Sequence, residues 1–309
     1  MKILIGYDGS QCADAAIGDL RRAGLPEDVE AQVVTVAEVW LPPPTAGEAI
    51  KSSSRDAGRI DSIIQPMYAK ARRAMQEAEH LASQGRWRVS SLFPKWNVTG
   101  TASYGSPAWE LIFTADKWQP DLVVVGSHGQ SALGRFVLGS VSQVVLNEAQ
   151  CSVRIARGRI EEPDTPVRIV VGLDGSAASE VVITEVTNRM WPANSQVKAI
   201  VVDDPSGVNF AGEDDASGNE TEADHAWAEK ILSKNAAVLR RVPGIEVITE
   251  LIEGNPKNEL LRAAEEWNAD CIFVGSAGSS NTTDRFILGS VSAAVSSRAH
   301  CSVEVVRKK

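Results

Sequence analysis

The chain has 309 residues, 43% of them hydrophobic and 23% charged, with a net charge of −9. That balance excludes global disorder and a membrane bundle, and at roughly 150 residues per domain the length suggests two domains. The charge is uneven: residues 1–157 hold 16 Lys and Arg against 16 Asp and Glu, residues 158–309 hold 15 against 24, and an acidic half gives no footprint for nucleic acid.

In chain order, Ile3–Tyr7 is a continuous apolar run, as expected of a strand buried on both faces. No long apolar segment or cleavage site precedes it, so no secretory leader is expected. Ser10 caps a helix with Ala13, Ala16, Ile17 and Leu20 on one face. Gln32–Val39 reads as a second strand, and residues 40–55, with Pro42, Pro43 and Pro44, as a loop. Asp56–Ser83 reads as a long helix that Pro66 should kink or split. A third strand falls within Arg88–Thr101. Ser106–Trp118 follows as a helix with Pro107 in its first turn. Asp121–Gly126 is a fourth strand, Val141–Ala149 a helix and Ser152–Ala156 a fifth strand. The same series runs from Val167 to Val306. Strands alternating with helices mean an α/β fold, with a parallel sheet covered on both faces.

The two series are copies. Lys2-Ile-Leu-Ile-Gly-Tyr-Asp-Gly-Ser10 recurs as Arg168-Ile-Val-Val-Gly-Leu-Asp-Gly-Ser176, and Asp121-Leu-Val-Val-Val-Gly-Ser127 as Asp270-Cys-Ile-Phe-Val-Gly-Ser276. Arg135-Phe-Val-Leu-Gly-Ser-Val-Ser142 recurs as Arg285-Phe-Ile-Leu-Gly-Ser-Val-Ser292. A period near 150 residues indicates a duplicated domain. The expected division is residues 1–157, a polar linker over 158–166, and residues 167–309.

The sharpest chemical signal follows the fourth strand. Gly126-Ser-His-Gly129 is followed after nine residues by Gly139-Ser-Val-Ser142. Gly126 lets the chain leave the strand tightly, and Gly129 lets backbone approach a ligand. Gly139, Ser140, Val141 and Ser142 stand at a helix start, where free N–H groups and the positive dipole end suit a phosphate. The alternative for one such motif alone is plain turn geometry. The spacing, the serines and the second copy favour a phosphate site.

The pattern G-x2-G-x9-G-[S/T], on a domain opening with an apolar strand that ends in Asp-Gly-Ser, resembles the universal stress protein family over nearly the whole chain. The resemblance implies two tandem five-stranded parallel sheets of order 3-2-1-4-5, with ATP at the C-terminal strand ends, and Mg²⁺ is expected beside its phosphates. Asp8 would meet the ribose or adenine edge, and Val36 would line the adenine pocket. Gly126, His128 and Gly129 would wrap the ribose and phosphates, and Gly139 to Ser142 would hold the phosphate tail. Asp8 is as readily a turn-stabilising cap, and His128 a loop filler.

The second half departs from the pattern. Gly275-Ser-Ala-Gly278 precedes Gly289-Ser290 by ten residues, and Ala277 replaces His128. Asp174, Gly289, Ser290, Val291 and Ser292 remain. The counterpart of Val36 is ambiguous between Ile200 and Val201. This copy is expected to be the weaker site.

Other chemistry is sparse. Cys12, Cys151, Cys271 and Cys301 form no metal or disulfide pattern, which suits reduced thiols in a cytoplasm. There is no P-loop, no Lys in the phosphate loop and no carboxylate placed to orient water. The expectation is an ATP-binding stress sensor or regulator with little or no hydrolysis, acting through an unidentified protein partner, without nucleic acid or membrane. The alternative is a slow ATPase or an adenylyl- or phosphoryl-transfer enzyme. In a 3-2-1-4-5 sheet each fifth strand lies at an edge, so Ser152–Ala156 and Ser302–Val306 are expected to pair antiparallel, Arg154 facing Glu304. The rival assembly is two independent domains that dimerise between chains.

Overall fold

A computed structural model describes residues 1–39, 57–129, 138–157, 165–204, 220–276 and 288–308, and the side chains of all of these but 57–64 and 220–224. In the first half these form β1 (Lys2–Gly6), α1 (Gln11–Asp19) with a 3-10 turn (Leu20–Arg22), β2 (Glu30–Ala37), α2 (Ala57–Leu92) and β3 (Asn97–Tyr104). Next come α3 (Pro107–Trp118), β4 (Leu122–Gly126), α4 (Ser140–Glu148) and β5 (Ser152–Ala156). The second half repeats the order: β6 (Arg168–Leu173), α5 (Ala177–Thr187), β7 (Ser195–Asp203), α6 (Glu220–Leu239) and β8 (Ile245–Glu253). It closes with α7 (Pro256–Glu266), β9 (Cys271–Gly275), α8 (Ser290–Arg298) and β10 (Ser302–Val306). The expected loop over 40–55 and most of the expected linker lie outside the described residues.

All ten strands join one sheet, in the order β3-β2-β1-β4-β5-β10-β9-β6-β7-β8. Each half therefore has the 3-2-1-4-5 order. Neighbours within a half are parallel, and β5 and β10 meet antiparallel, with Val153, Arg154 and Ile155 opposite Val305, Glu304 and Val303. The edge pairing expected from sequence is present.

The long helix departs from expectation. It runs from Ala57 to Leu92 with Pro66 inside it, and β3 begins only at Asn97. Pro66 removes one backbone donor, but Gln65, Pro66 and Met67 are exposed. Water can therefore satisfy the freed carbonyl. The C-terminal turns hold because Ala78, Ala82 and Val89 are buried at helical spacing. Gly85 sits where a Cβ would stand 2.8 Å from Tyr7 and 2.9 Å from Val33.

The two faces of the sheet differ at the seam between halves. On one face a single apolar core runs across both halves, joining Leu111, Val145, Val153 and Ile155 to Leu260, Val295, Val303 and Val305. On the other face the apolar cores stay separate. Between them lies a buried ionic chain. Arg154 donates to Asp19 (2.6 Å) and Glu304 (3.1 Å), and Arg189 donates to Glu304 and Glu185. The pleat explains the division: Val153 and Ile155 point to one face, Arg154 to the other. Arg22 adds a bidentate pair with Asp270, at 3.0 and 3.1 Å. Asp19, Arg22, Arg154, Asp270 and Cys271 line a cavity of about 10 Å³ there.

Burial pulls the Arg154 guanidinium down, but the carboxylates of Asp19 and Glu304 outweigh it and hold its pKa above the ordinary value. Two further arginines tie each half to the other. Arg157 donates to Ser296 O and Cys301 O in the second half, and Arg307 donates to Leu146 O and Cys151 O in the first. Each places a cation at the C-terminal end of the other half's last helix, where the dipole is negative.

Candidate functional site

The first-half site is assembled at the C-terminal ends of β1 and β4. Beyond β1 the chain turns at Gly9, with φ +74°. Asp8 Oδ1 accepts from Ser10 N at 3.0 Å, and Ser10 Oγ accepts from Ala13 N at 3.1 Å to cap α1. One oxygen of Asp8 therefore does the turn-stabilising work. The other lies against the loop that follows β4: a Cβ on Gly129 would stand 2.9 Å from Asp8 Oδ2.

The glycines after β4 are held by close packing. A Cβ on Gly126 would meet the Cys12 backbone of α1 at 3.1 Å. Gly139 N donates to Ser127 O at 2.8 Å, which folds the start of α4 back onto the strand end. A Cβ on Gly139 would stand 3.4 Å from both His128 Cα and Ser127 O. Ser142 Oγ donates to Gly126 O at 2.6 Å, so its hydroxyl pins the helix to the strand. Ser140 remains exposed, and Val141 packs half-buried against the apolar core.

Helix α4 begins at Gly139 without a side-chain cap, unlike α1 and α5, which Ser10 and Ser176 cap. The N–H groups of Ser140, Val141 and Ser142 have no acceptor within their own helix. Beside them, Ser127 Oγ and His128 Nδ1 are 3.0 Å apart, and His128 Nε2 is buried without a hydrogen-bond partner. Burial, and then the charge of Arg157, hold the His128 pKa below its ordinary value. The ring is a neutral group with one polar atom unsatisfied at the mouth of an uncapped helix.

The structure thus brings Asp8, Gly126, His128, Gly129, Gly139, Ser140 and Ser142 together. Val36 lies on the next strand, half-buried against the core beneath α3 and α4. Ser127 and Cys12 were not singled out from sequence, although the Gly-Ser pair at 126–127 recurs at 275–276.

The second half repeats this frame. Asp174 Oδ1 accepts from Ser176 N at 3.0 Å, Gly289 N donates to Ser276 O at 2.6 Å, and Ser292 Oγ donates to Gly275 O at 2.5 Å. Ser290 is exposed, Val291 is half-buried, and Gly289 leaves α8 without a side-chain cap. Gly278 and Ala277 lie outside the described residues. The expected counterpart of Val36 needs correction. Gly6 pairs with Val34 and Gly172 pairs with Ile200, so the register makes Val202 the equivalent residue. Val202 packs against the same core as Val36, whereas Val201 is buried in the core of the opposite face. A one-residue slip along a strand reverses the face, which the repeat alignment could not resolve there.

Among the described residues no three His, Cys, Asp or Glu side chains converge on a metal position, and no helix is long and apolar enough to cross a membrane.

The model of the universal stress protein family matches residues 1–157 and again residues 167–307. A universal stress protein of Mycolicibacterium smegmatis is 26% identical over 309 residues, covering 99% of this chain and 97% of that protein. One from Methanocaldococcus jannaschii is 32% identical over 150 residues, covering 46% of this chain and 82% of its own length. The crystal structure of a universal stress protein from Archaeoglobus fulgidus has the same fold, with a TM-score of 0.62 at 22% identity, covering 100% of this chain and 98% of that one.

Proposed function

The chain belongs to the universal stress protein family, and from that premise we propose that it binds ATP in its first half and acts as a nucleotide-dependent sensor or regulator. The observation that carries this reading is the start of α4. There an uncapped helix terminus, Gly126 packed against the Cys12 backbone and the orphaned Nε2 of His128 stand together. Free N–H groups and a positive dipole end favour an anion, and an unsatisfied buried nitrogen is costly until a ligand meets it.

In this reading Asp8 and Val36 hold the nucleoside end, and the N–H groups of Ser140, Val141 and Ser142 hold the phosphates. Mg²⁺ would arrive with the phosphates and take most of its shell from them and from water, as that ion usually does. ATP supplies the recognition charge; the chain's own residues bind and orient it. With no Lys in the phosphate loop, hydrolysis is slow or absent. Residues 1–157 and 167–309 act as two domains joined by 158–166. The second binds ATP more weakly, because its loop is one residue longer and lacks a counterpart of His128.

Denaturing the purified protein and identifying and counting the released nucleotide tests occupancy. Incubation with saturating ATP then separates the regulator reading from the transferase or ATPase alternative. Stoichiometric ATP without product supports the regulator, and steady product formation supports an enzyme.

A further inference from the structure

We infer that the β5 edge is built to accept the β10 edge and to reject a second β5, so that the buried Arg154–Glu304 pair decides which strands join. The apolar positions cannot make this choice. Val153 and Ile155 of β5 correspond to Val303 and Val305 of β10, and all four are fully buried at the seam. An antiparallel pair centred on the middle residue sets an apolar residue opposite Val153 in either case, Val305 when β5 meets β10 and Ile155 when it meets another copy of itself. Backbone groups would be satisfied equally well in either case.

Only the central position differs in charge. The native order along the seam is Asp19, Arg154, Glu304, Arg189, Glu185, alternating in sign at every step. Two β5 edges would set Arg154 against Arg154, each guanidinium keeping only its own Asp19. Two β10 edges would set Glu304 against Glu304. Side-chain exposures of 1% for Arg154 and 0% for Glu304 keep both groups out of bulk solvent, so salt and solvent screen either clash weakly. A buried pair of this kind is a means of choosing partners more than a source of stability.

The test uses the full chain, unfolded and refolded over a range of protein concentrations, with mass read by light scattering. Glu304→Gln keeps the shape and removes the like-charge penalty at the β10 edge. A second variant, Asp19→Asn/Arg154→Met/Glu304→Leu, makes the central position apolar and leaves Arg189 paired with Glu185. Wild type is expected to refold as a monomer, as is Arg154→Lys, which keeps the charge. Both neutralised variants are expected to form between-chain oligomers at concentrations at least ~10-fold lower than wild type, about 1.4 kcal/mol of lost discrimination. The inference is overturned if both neutralised variants match the wild-type concentration dependence. It is equally overturned if both fail to fold without forming oligomers, because the apolar pairs would then be insufficient to join the edges.

Discussion

Arg154 Nη1 lies 3.1 Å from Glu304 Oε2, and the two residues hold the matching central positions of β5 and β10. Removing Arg154 leaves the buried Asp19 without its ion-pair partner, while Glu304 keeps Arg189. Arg154→Ala should destabilise the protein by about 3–5 kcal/mol. Denaturant titration followed by far-ultraviolet circular dichroism measures this, and a loss under about 1 kcal/mol would show that the seam is hydrated.

Arg307 stands near the end of the chain but donates to Leu146 O, at the end of a first-half helix. Arg307→Met should cost about 1–3 kcal/mol, the range for buried carbonyls left without donors. Hydrogen exchange should show the lost protection in α4, remote in sequence from the substitution. Loss confined to β10 would mean that the contact does not hold that helix.

His128 gives the ligand-free protein a pH dependence of known sign. Its folded pKa is lowered, by burial first and Arg157 second, from an ordinary value near 6.5. Below about pH 6.5 the unfolded chain therefore binds a proton that the folded chain resists. The penalty is absent above that pH and grows as pH falls through the folded value. Relative to His128→Asn, the wild type should lose melting temperature on acidification below about 6.5. Parallel curves would place the ring in water.

The two nucleotide positions should differ. Gly289→Val, in the second half, should leave the tight ATP stoichiometry unchanged, while Gly139→Val, in the first, should abolish it. Equal loss from either substitution, measured by equilibrium dialysis, would contradict the asymmetry.

Much of this was legible because it is local or repeated. The apolar runs of β1 and β4 are visible in sequence because both faces of a parallel strand are covered. The facing of Arg154 and Glu304 followed from symmetry alone, since matching residues meet at the centre of an antiparallel pair. The rest depended on contacts distant in sequence. The segment Arg88–Leu92 has no strong local helical signal, and it is helix because Val89 packs on the sheet. Asp19 and Arg189 carry no signal in the sequence, and only the seam brings them to Arg154 and Glu304. Ser142 carries a hydroxyl suited to phosphate, yet the folded chain commits its proton to Gly126 O.

The central claim is that ATP phosphates sit on the start of α4. A calorimetric titration of nucleotide-stripped protein with ATP and Mg²⁺ tests it most directly, comparing wild type with Gly139→Val. A Cβ at Gly139 would stand 3.4 Å from His128 Cα and Ser127 O, in ordinary contact, so the fold can hold a valine there while its branched side chain crowds the start of α4 that the account assigns to phosphate. The account predicts one tight site in the wild type, weakened in the variant on the order of 100-fold, about 2.7 kcal/mol, with the fold intact by circular dichroism. Wild-type affinity in a folded Gly139→Val variant, or no ATP binding by the wild type, would contradict it.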